Sequence, residues 1–255
     1  MQVALLASVF VVASCGLAYE LIAGALASYL IGDSVTQFST VIGAYLFAMG
    51  IGAWASRYVG RGLVARFVQI ELLVGLLGGF SAALLFIVFA WLSAPFRLLL
   101  YIIVILLGIL VGMEIPLVMR ILKRDLAFKD VVSLVLTFDY LGALLVSILF
   151  PLLLAPELGL IRTGLLFGLL NVGVALWATW IFREHLPGIG GLRLQSCVAL
   201  ALLRPFSSSY VAMGKLILYT STHDLPTEKR GRLRFADYLR QESDVRASPL
   251  VLHRV

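Results

Sequence analysis

Val3-Ala-Leu-Leu-Ala-Ser-Val-Phe-Val-Val-Ala-Ser-Cys15-Gly-Leu-Ala-Tyr-Glu20-Leu-Ile-Ala-Gly-Ala-Leu-Ala-Ser-Tyr-Leu-Ile31 contains a single charged residue, Glu20. About 20 apolar residues suffice to cross roughly 30 Å of hydrocarbon as a helix, and this run exceeds that length. Its apolar residues are continuous rather than alternating. Lipid offers backbone groups no hydrogen-bond partner, so a run of this kind reads as a helix and not as a barrel strand. Five further runs share the pattern: Phe38–Ala55, Phe67–Leu92, Leu98–Met119, Val131–Leu154 and Leu160–Phe182. The predicted fold is therefore all-α, a polytopic bundle of six membrane spans. Val12-Ala-Ser-Cys15 resembles a lipoprotein cleavage box, but no basic residue precedes it and the apolar run continues past it. It is read as part of the first helix.

Composition agrees. A chain of 255 residues that is 61% hydrophobic and 13% charged, with a mean hydropathy of +1.03, is too apolar for a disordered chain or a soluble nucleic-acid binder. Two cysteines, Cys15 and Cys197, cannot make a disulfide-stapled scaffold. The net charge of +6 is concentrated at the C-terminal end. Loops after the second, fourth and sixth spans carry Arg57, Arg61 and Arg66, then Arg120, Lys123, Arg124 and Lys129, then Arg183 and Arg193; the other three carry Arg97 and Arg162. Positive charge stays on the cytoplasmic side, which predicts both termini inside. Trp54, Trp91, Trp177 and Trp180 lie near span ends, where interfacial aromatics belong.

Residues 1–182 are thus read as the transmembrane bundle. Residues 183–203 are read as a linker, opened by Pro187-Gly-Ile-Gly-Gly191, with an apolar run at Leu194–Leu203 too short to span. Residues 204–255, Ser-rich and then basic, are expected to form a poorly ordered cytoplasmic tail with at most a short helix at Glu228–Arg240.

Chemistry, if the bundle carries any, is expected at its acids. Glu20, Glu71, Glu114 and Asp139 fall inside predicted spans with no Lys or Arg at their depth. A carboxylate at a helix centre costs about 2.5–3.5 kcal/mol on insertion scales, so each is a site hypothesis. Glu71 and Glu114 lie near cytoplasmic span ends, within snorkelling reach of Arg66 and Arg120. Asp139 and Glu20 lie deeper, on faces of small residues (Gly16, Gly24 and Ala27; Gly142 and Ala143), and are expected to face the interior. Two readings stay open for them: carboxyls hydrogen-bonded to Tyr45, Thr137 or Asn171 that fix packing, or a cation or proton site. Tyr19 and Tyr140, each beside an acid, complete the candidate set. The pairs Gly75/Gly79, Gly108/Gly112 and Gly164/Gly168 are read as helix-packing faces. Pro116 should kink the fourth span beside Glu114.

The sequence carries no enzymatic signature: all three histidines follow the spans, and no HExxH, P-loop or CxxC occurs. No catalytic residue, cofactor or metal site is expected from the residues themselves. The expected partners are the lipid bilayer, polyamines, and further copies of the chain through small-residue faces; nucleic acid is not among them.

Four stretches together carry a resemblance: Ala13–Ser39, Arg66-Phe-Val-Gln-Ile-Glu-Leu72, Gly112-Met-Glu-Ile-Pro-Leu117 and Leu136-Thr-Phe-Asp-Tyr-Leu-Gly-Ala143. They resemble the N-terminal membrane domain of the bacterial membrane-bound polyamine aminopropyltransferases, the spermidine-synthase-like proteins. The resemblance implies a bundle in the bacterial inner membrane ahead of a soluble Rossmann-like catalytic domain that holds decarboxylated S-adenosylmethionine and putrescine. Residues 204–255 hold no counterpart to that domain's motifs, although Leu216–Thr222 is faintly similar to the strand segment before it. The change at Leu203/Arg204 looks like a frameshift or early truncation, and this chain alone is not expected to catalyse aminopropyl transfer. The alternative expectation is a small carrier that moves a cation or polyamine past Glu20 and Asp139.

Overall fold

The computed structural model describes residues 2–91, 96–123, 127–183 and 190–203. The predicted tail, with its proposed helix at Glu228–Arg240, and the three histidines lie outside the described residues. Within them the chain is all-helical: α1 (Gln2–Ile31), α2 (Ser34–Ala55), α3 (Leu63–Trp91), α4 (Phe96–Leu122), α5 (Phe128–Leu149), α6 (Gly159–Ile181) and a shorter α7 (Gly190–Leu203). Each helix begins or ends beyond its apolar run. Asp33 shows why: it adopts φ 49° and its carboxylate accepts from the Thr36 N–H at 3.4 Å, so α2 starts at Ser34 rather than at Phe38.

Five helical stretches are long and apolar enough to cross a membrane. The last of them, Phe128–Ile181, contains both α5 and α6. A loop was expected between Leu154 and Leu160, but the chain continues from α5 through a π-helical segment, Phe150–Leu158, and breaks at Gly159. Pro151 and Pro156 cannot donate to the ladder, and a wider turn accommodates their rings. Gly159, at φ 75°, takes a backbone conformation that side chains oppose.

The helix α1 is the hub, in contact with all five other long helices. Cys15, Ala18, Leu26 and Ala27 on it are fully enclosed. Around it two glycine seams pull helices together. On one, Gly75 and Gly79 of α3 face Gly164 and Gly168 of α6, so close that a Cβ on Gly168 would stand 2.7 Å from the Gly75 carbonyl oxygen. On the other, Gly108 and Gly112 of α4 receive Ala48 and Met49 of α2, while Gly52 of α2 receives the Ile109 backbone. The three glycine pairs singled out in the sequence are packing faces, as expected.

The segment read as a linker is helical from Gly190. Leu192, Ala199 and Leu203 of α7 are buried, and a Leu203 methyl carbon lies at Gly79 of α3. The outward surface is apolar: Phe47, Leu73, Trp91, Leu98, Leu152 and Trp180 are each at least half exposed.

Candidate functional site

Three of the four acids converge because small residues next to each of them admit a neighbouring helix. One turn either side of Glu20, Gly16 lies against Val111 of α4 and Tyr45 of α2, and Gly24 against the Phe38 ring. Three residues beyond Asp139, Gly142 packs on the Phe10 carbonyl, and the Ser14 hydroxyl lies 3.2 Å from the Gly142 carbonyl oxygen. Glu114 stands two residues from Gly112, about 200° around α4 from the α2 seam. That rotation turns it inward.

The result is a cavity of about 160 Å³ between α1, α2, α4 and α5, with a patch of α3 at Phe67, into which Glu20, Glu114, Asp139 and Tyr45 project. Its walls are otherwise apolar, among them Val12, Phe67, Val111 and Val118, and among the described residues no Lys, Arg or His lines it. Glu20 is 8% exposed and Glu114 2%; Asp139 is half-buried. The Glu114 Oε1 is enclosed and has no hydrogen-bond partner among the described residues. The helices α2 and α5 scarcely touch, and the cavity reaches the surface between them, at exposed Leu46 and half-buried Asp139.

Several expectations are corrected. Glu71 and Glu114 do not snorkel to Arg66 and Arg120. They are 0% and 2% exposed, while Arg66 Nη1 donates to Gln69 Oε1 at 3.0 Å and Arg120 Nη1 to the Ser56 carbonyl at 3.0 Å. Distance along a helix does not fix the direction in which a side chain points; helix packing enclosed both acids inside the bundle. Glu114, the shallower by sequence, is more enclosed than Asp139.

The expected carboxyl partners also bond elsewhere. Tyr45 Oη donates to the Gly16 carbonyl at 2.9 Å, and Thr137 Oγ1 to the Ser133 carbonyl at 2.8 Å. Asn171 is fully buried, with both amide atoms unpartnered among the described residues. Tyr140, a candidate because it follows Asp139, is 66% exposed and takes no part.

Glu71 lies outside the cavity, behind it. It sits one turn before Gly75 on the α3 face that meets α6, and neither carboxyl oxygen has a partner among the described residues. Tyr19 packs its ring against Gly78, two turns from Glu71, with its hydroxyl enclosed and unpartnered among the described residues. Sequence reasoning missed Phe67 and Val111 as cavity walls. The only signal for Val111 was its place beside Gly112. Among the described residues no group of three His, Cys, Asp or Glu side chains could hold a metal ion.

No family model and no solved structure matches the chain. Curated relatives do. It is 64% identical over 212 residues to polyamine aminopropyltransferase 2 of Ralstonia nicotianae, a match covering 80% of this chain and 42% of that protein. Polyamine aminopropyltransferase 1 of the same organism is equally similar, with 40% of its length covered. The polyamine aminopropyltransferase of Leptospira interrogans is 54% identical over 230 residues, 90% of this chain and 45% of the relative. The chain thus spans less than half the length of these relatives. The carrier expectation gains no support from them, since all three are named as transferases. Over at least four-fifths of its length the chain is a homologue of proteins named polyamine aminopropyltransferase.

Proposed function

We propose that this chain is the membrane-embedded helical part of a polyamine aminopropyltransferase-like protein, serving to hold such a transferase at the bacterial inner membrane. The identity of 64% over 212 residues carries the reading. Two further observations support it. Five helical stretches have the length and apolarity of membrane spans, and large apolar side chains such as Phe47, Leu73, Leu98 and Leu152 stand outward and exposed on them. At the end of α2, Arg57 stacks 4.4 Å over the Trp54 ring and 4.7 Å over the Tyr58 ring. A basic and aromatic cluster of this kind suits a membrane interface. Aminopropyl transfer itself belongs, in this reading, to the part of the relatives that the chain does not match.

The test has three arms. Expressed in bacteria, the chain is expected to stay in the membrane through alkaline carbonate washing; release would sink the membrane reading. Single cysteines at Arg61 and Lys123, in a Cys197→Ser background, are expected to label from the cytoplasm, and those at Ser34 and Glu157 from outside. The reverse pattern would overturn the orientation. Residues 3–203, grafted in place of the matching stretch of the Ralstonia protein, are expected to preserve spermidine formation in the membrane fraction. A membrane-inserted but inactive graft would refute the transferase-anchor role.

A further inference from the structure

The outward side of α5 is unlike that of its neighbours. The buried residues of α5, Val131, Val135, Gly142 and Val146, mark the side that packs on α1 and, more lightly, on α4. Asp130, Ser133, Thr137, Tyr140, Leu144 and Ser147 stand on the other side, all exposed, Tyr140 by 66%. All but Leu144 are polar, whereas the side chains that α3, α4 and α6 turn outward within their spans are apolar, Leu84, Ile105 and Leu170 among them. Lipid gives a hydroxyl nothing to bond, so Ser, Thr and Tyr side chains in a span belong where a second helix meets them. Tyr140 lies about 18 Å along α5 from Phe128 at 1.5 Å per residue, which is near the middle of a roughly 30 Å hydrocarbon core. Interfacial tyrosines sit at the edges of that core instead.

The six residues recur at alternating steps of three and four, the spacing of the a and d positions of a coiled coil. A helix at a left-handed crossing of about 20° stays in contact with such a seam along its whole length. The residues also indicate which helix. Copies of one chain insert in one orientation, so two of them meet along α5 in parallel, about a two-fold axis, with the same patch on each. Hydroxyls suit such a self-facing patch because each both donates and accepts. Thr137 Oγ1 and Ser147 Oγ donate to the Ser133 and Leu144 carbonyls, each at 2.8 Å, which leaves their lone pairs as acceptors. In the parallel register a d residue packs beside the preceding a residue of the other helix, so the Tyr140 hydroxyl meets Thr137 Oγ1 of the partner subunit. Lys129 flanks the seam at the start of α5, and the same register sets it beside Asp130 of the partner subunit, charges opposed. Residues 204–255 are unsuited to cover the face: their longest stretch free of Asp, Glu, Lys and Arg, Pro205–Gly214, would reach about 15 Å as a helix, against about 26 Å from Asp130 to Ser147.

We propose that the outward face of α5 is a self-association surface, on which two copies of this chain pair in parallel through Ser133, Thr137, Tyr140, Leu144 and Ser147, with Lys129 and Asp130 paired across the seam at its start. The glycine pairs Gly75/Gly79, Gly108/Gly112 and Gly164/Gly168 are occupied within the bundle, so a different face carries the association. Ser133 and Ser147 are small enough to let the two helices approach closely. The proposal rests on the membrane reading above, because an outward polar face is out of place only where its surroundings are lipid.

The test begins with cysteine cross-linking of the full chain in a Cys197→Ser background, where the remaining Cys15 is fully buried. In carbonate-washed membranes oxidised with copper phenanthroline, Ser133→Cys and Ser147→Cys are expected to give disulfide-linked dimers, and Phe47→Cys and Trp180→Cys, exposed on α2 and α6, are not. A chain released by carbonate fails the membrane reading; a retained chain without seam cross-links fails the pairing alone. Sedimentation equilibrium in detergent micelles then measures association of the parent, which is expected to be a dimer. Tyr140→Phe keeps the ring and removes two symmetric hydrogen bonds, so it should weaken the dimer by about five- to tenfold at unchanged helicity. Lys129→Glu sets like charges together outside the hydrocarbon and should weaken it by about threefold, with recovery when Asp130→Lys is added. Should Tyr140→Phe fail to fold, that charge exchange decides. A monomeric parent, seam cysteines that link no better than the controls, or undiminished association in a folded Tyr140→Phe or Lys129→Glu variant would each overturn the proposal.

Discussion

Gly168→Ala, set beside Gly164→Ala on the same face of α6, asks whether the α3–α6 seam is a backbone contact or merely a row of small residues. An added Cβ at Gly168 would stand 2.7 Å from the Gly75 carbonyl oxygen and 2.9 Å from the Gly79 Cα. Both are backbone atoms of α3 and cannot swing away, so the helices must part. At Gly164 the nearest atoms are the Gly79 and Gly78 carbonyl oxygens at 3.4 and 3.6 Å, ordinary contact. Both variants gain helix propensity of about 1 kcal/mol at most. The difference between them therefore isolates the packing cost, which for overpacking a close interface is about 1–3 kcal/mol. Gly168→Ala is expected to be destabilised relative to Gly164→Ala by that amount, with Gly164→Ala equal to or slightly more stable than the parent. Unfolding with sodium dodecyl sulfate from dodecyl maltoside micelles, followed by circular dichroism, measures it. Two variants within about 0.5 kcal/mol of each other would refute the account of the seam.

Two further expectations concern buried polar atoms. Tyr45→Phe removes a 2.9 Å hydrogen bond to the Gly16 carbonyl and should cost about 1 kcal/mol, whereas Tyr19→Phe, whose hydroxyl has no partner, should be neutral or stabilising in the same unfolding assay. Equal losses would contradict the bonding of one or the other. Glu71→Leu replaces a fully buried carboxyl with both oxygens unpartnered and should raise stability by about 1–3 kcal/mol; a fall would mean that the carboxyl has a partner in solution.

The sequence alone determined that this chain is helical and roughly where its six long helices lie, because long continuous apolar runs are buried most readily as helices, which satisfy their own backbone groups. It also determined that the glycine pairs would be contact faces, since four-residue spacing repeats on one side of any helix. Kinship with the aminopropyltransferases was legible too, in contiguous stretches such as Ala13–Ser39.

The tertiary structure decided which acids meet. Depth along a helix follows from counting residues, but rotation about its axis is set by the neighbours it packs on. Gly108 and Gly112 seating α2 on α4 turned Glu114 into the cavity with Glu20 and Asp139, and Gly75 seating α6 on α3 turned Glu71 away behind it. Tyr140 follows Asp139 directly, yet points outward, because adjacent residues on a helix diverge by about 100°. The proline-containing stretch after α5 stayed helical for a related reason: local preference read a loop there, and packing of Leu154 and Phe150 into the core kept the chain wound as far as Gly159.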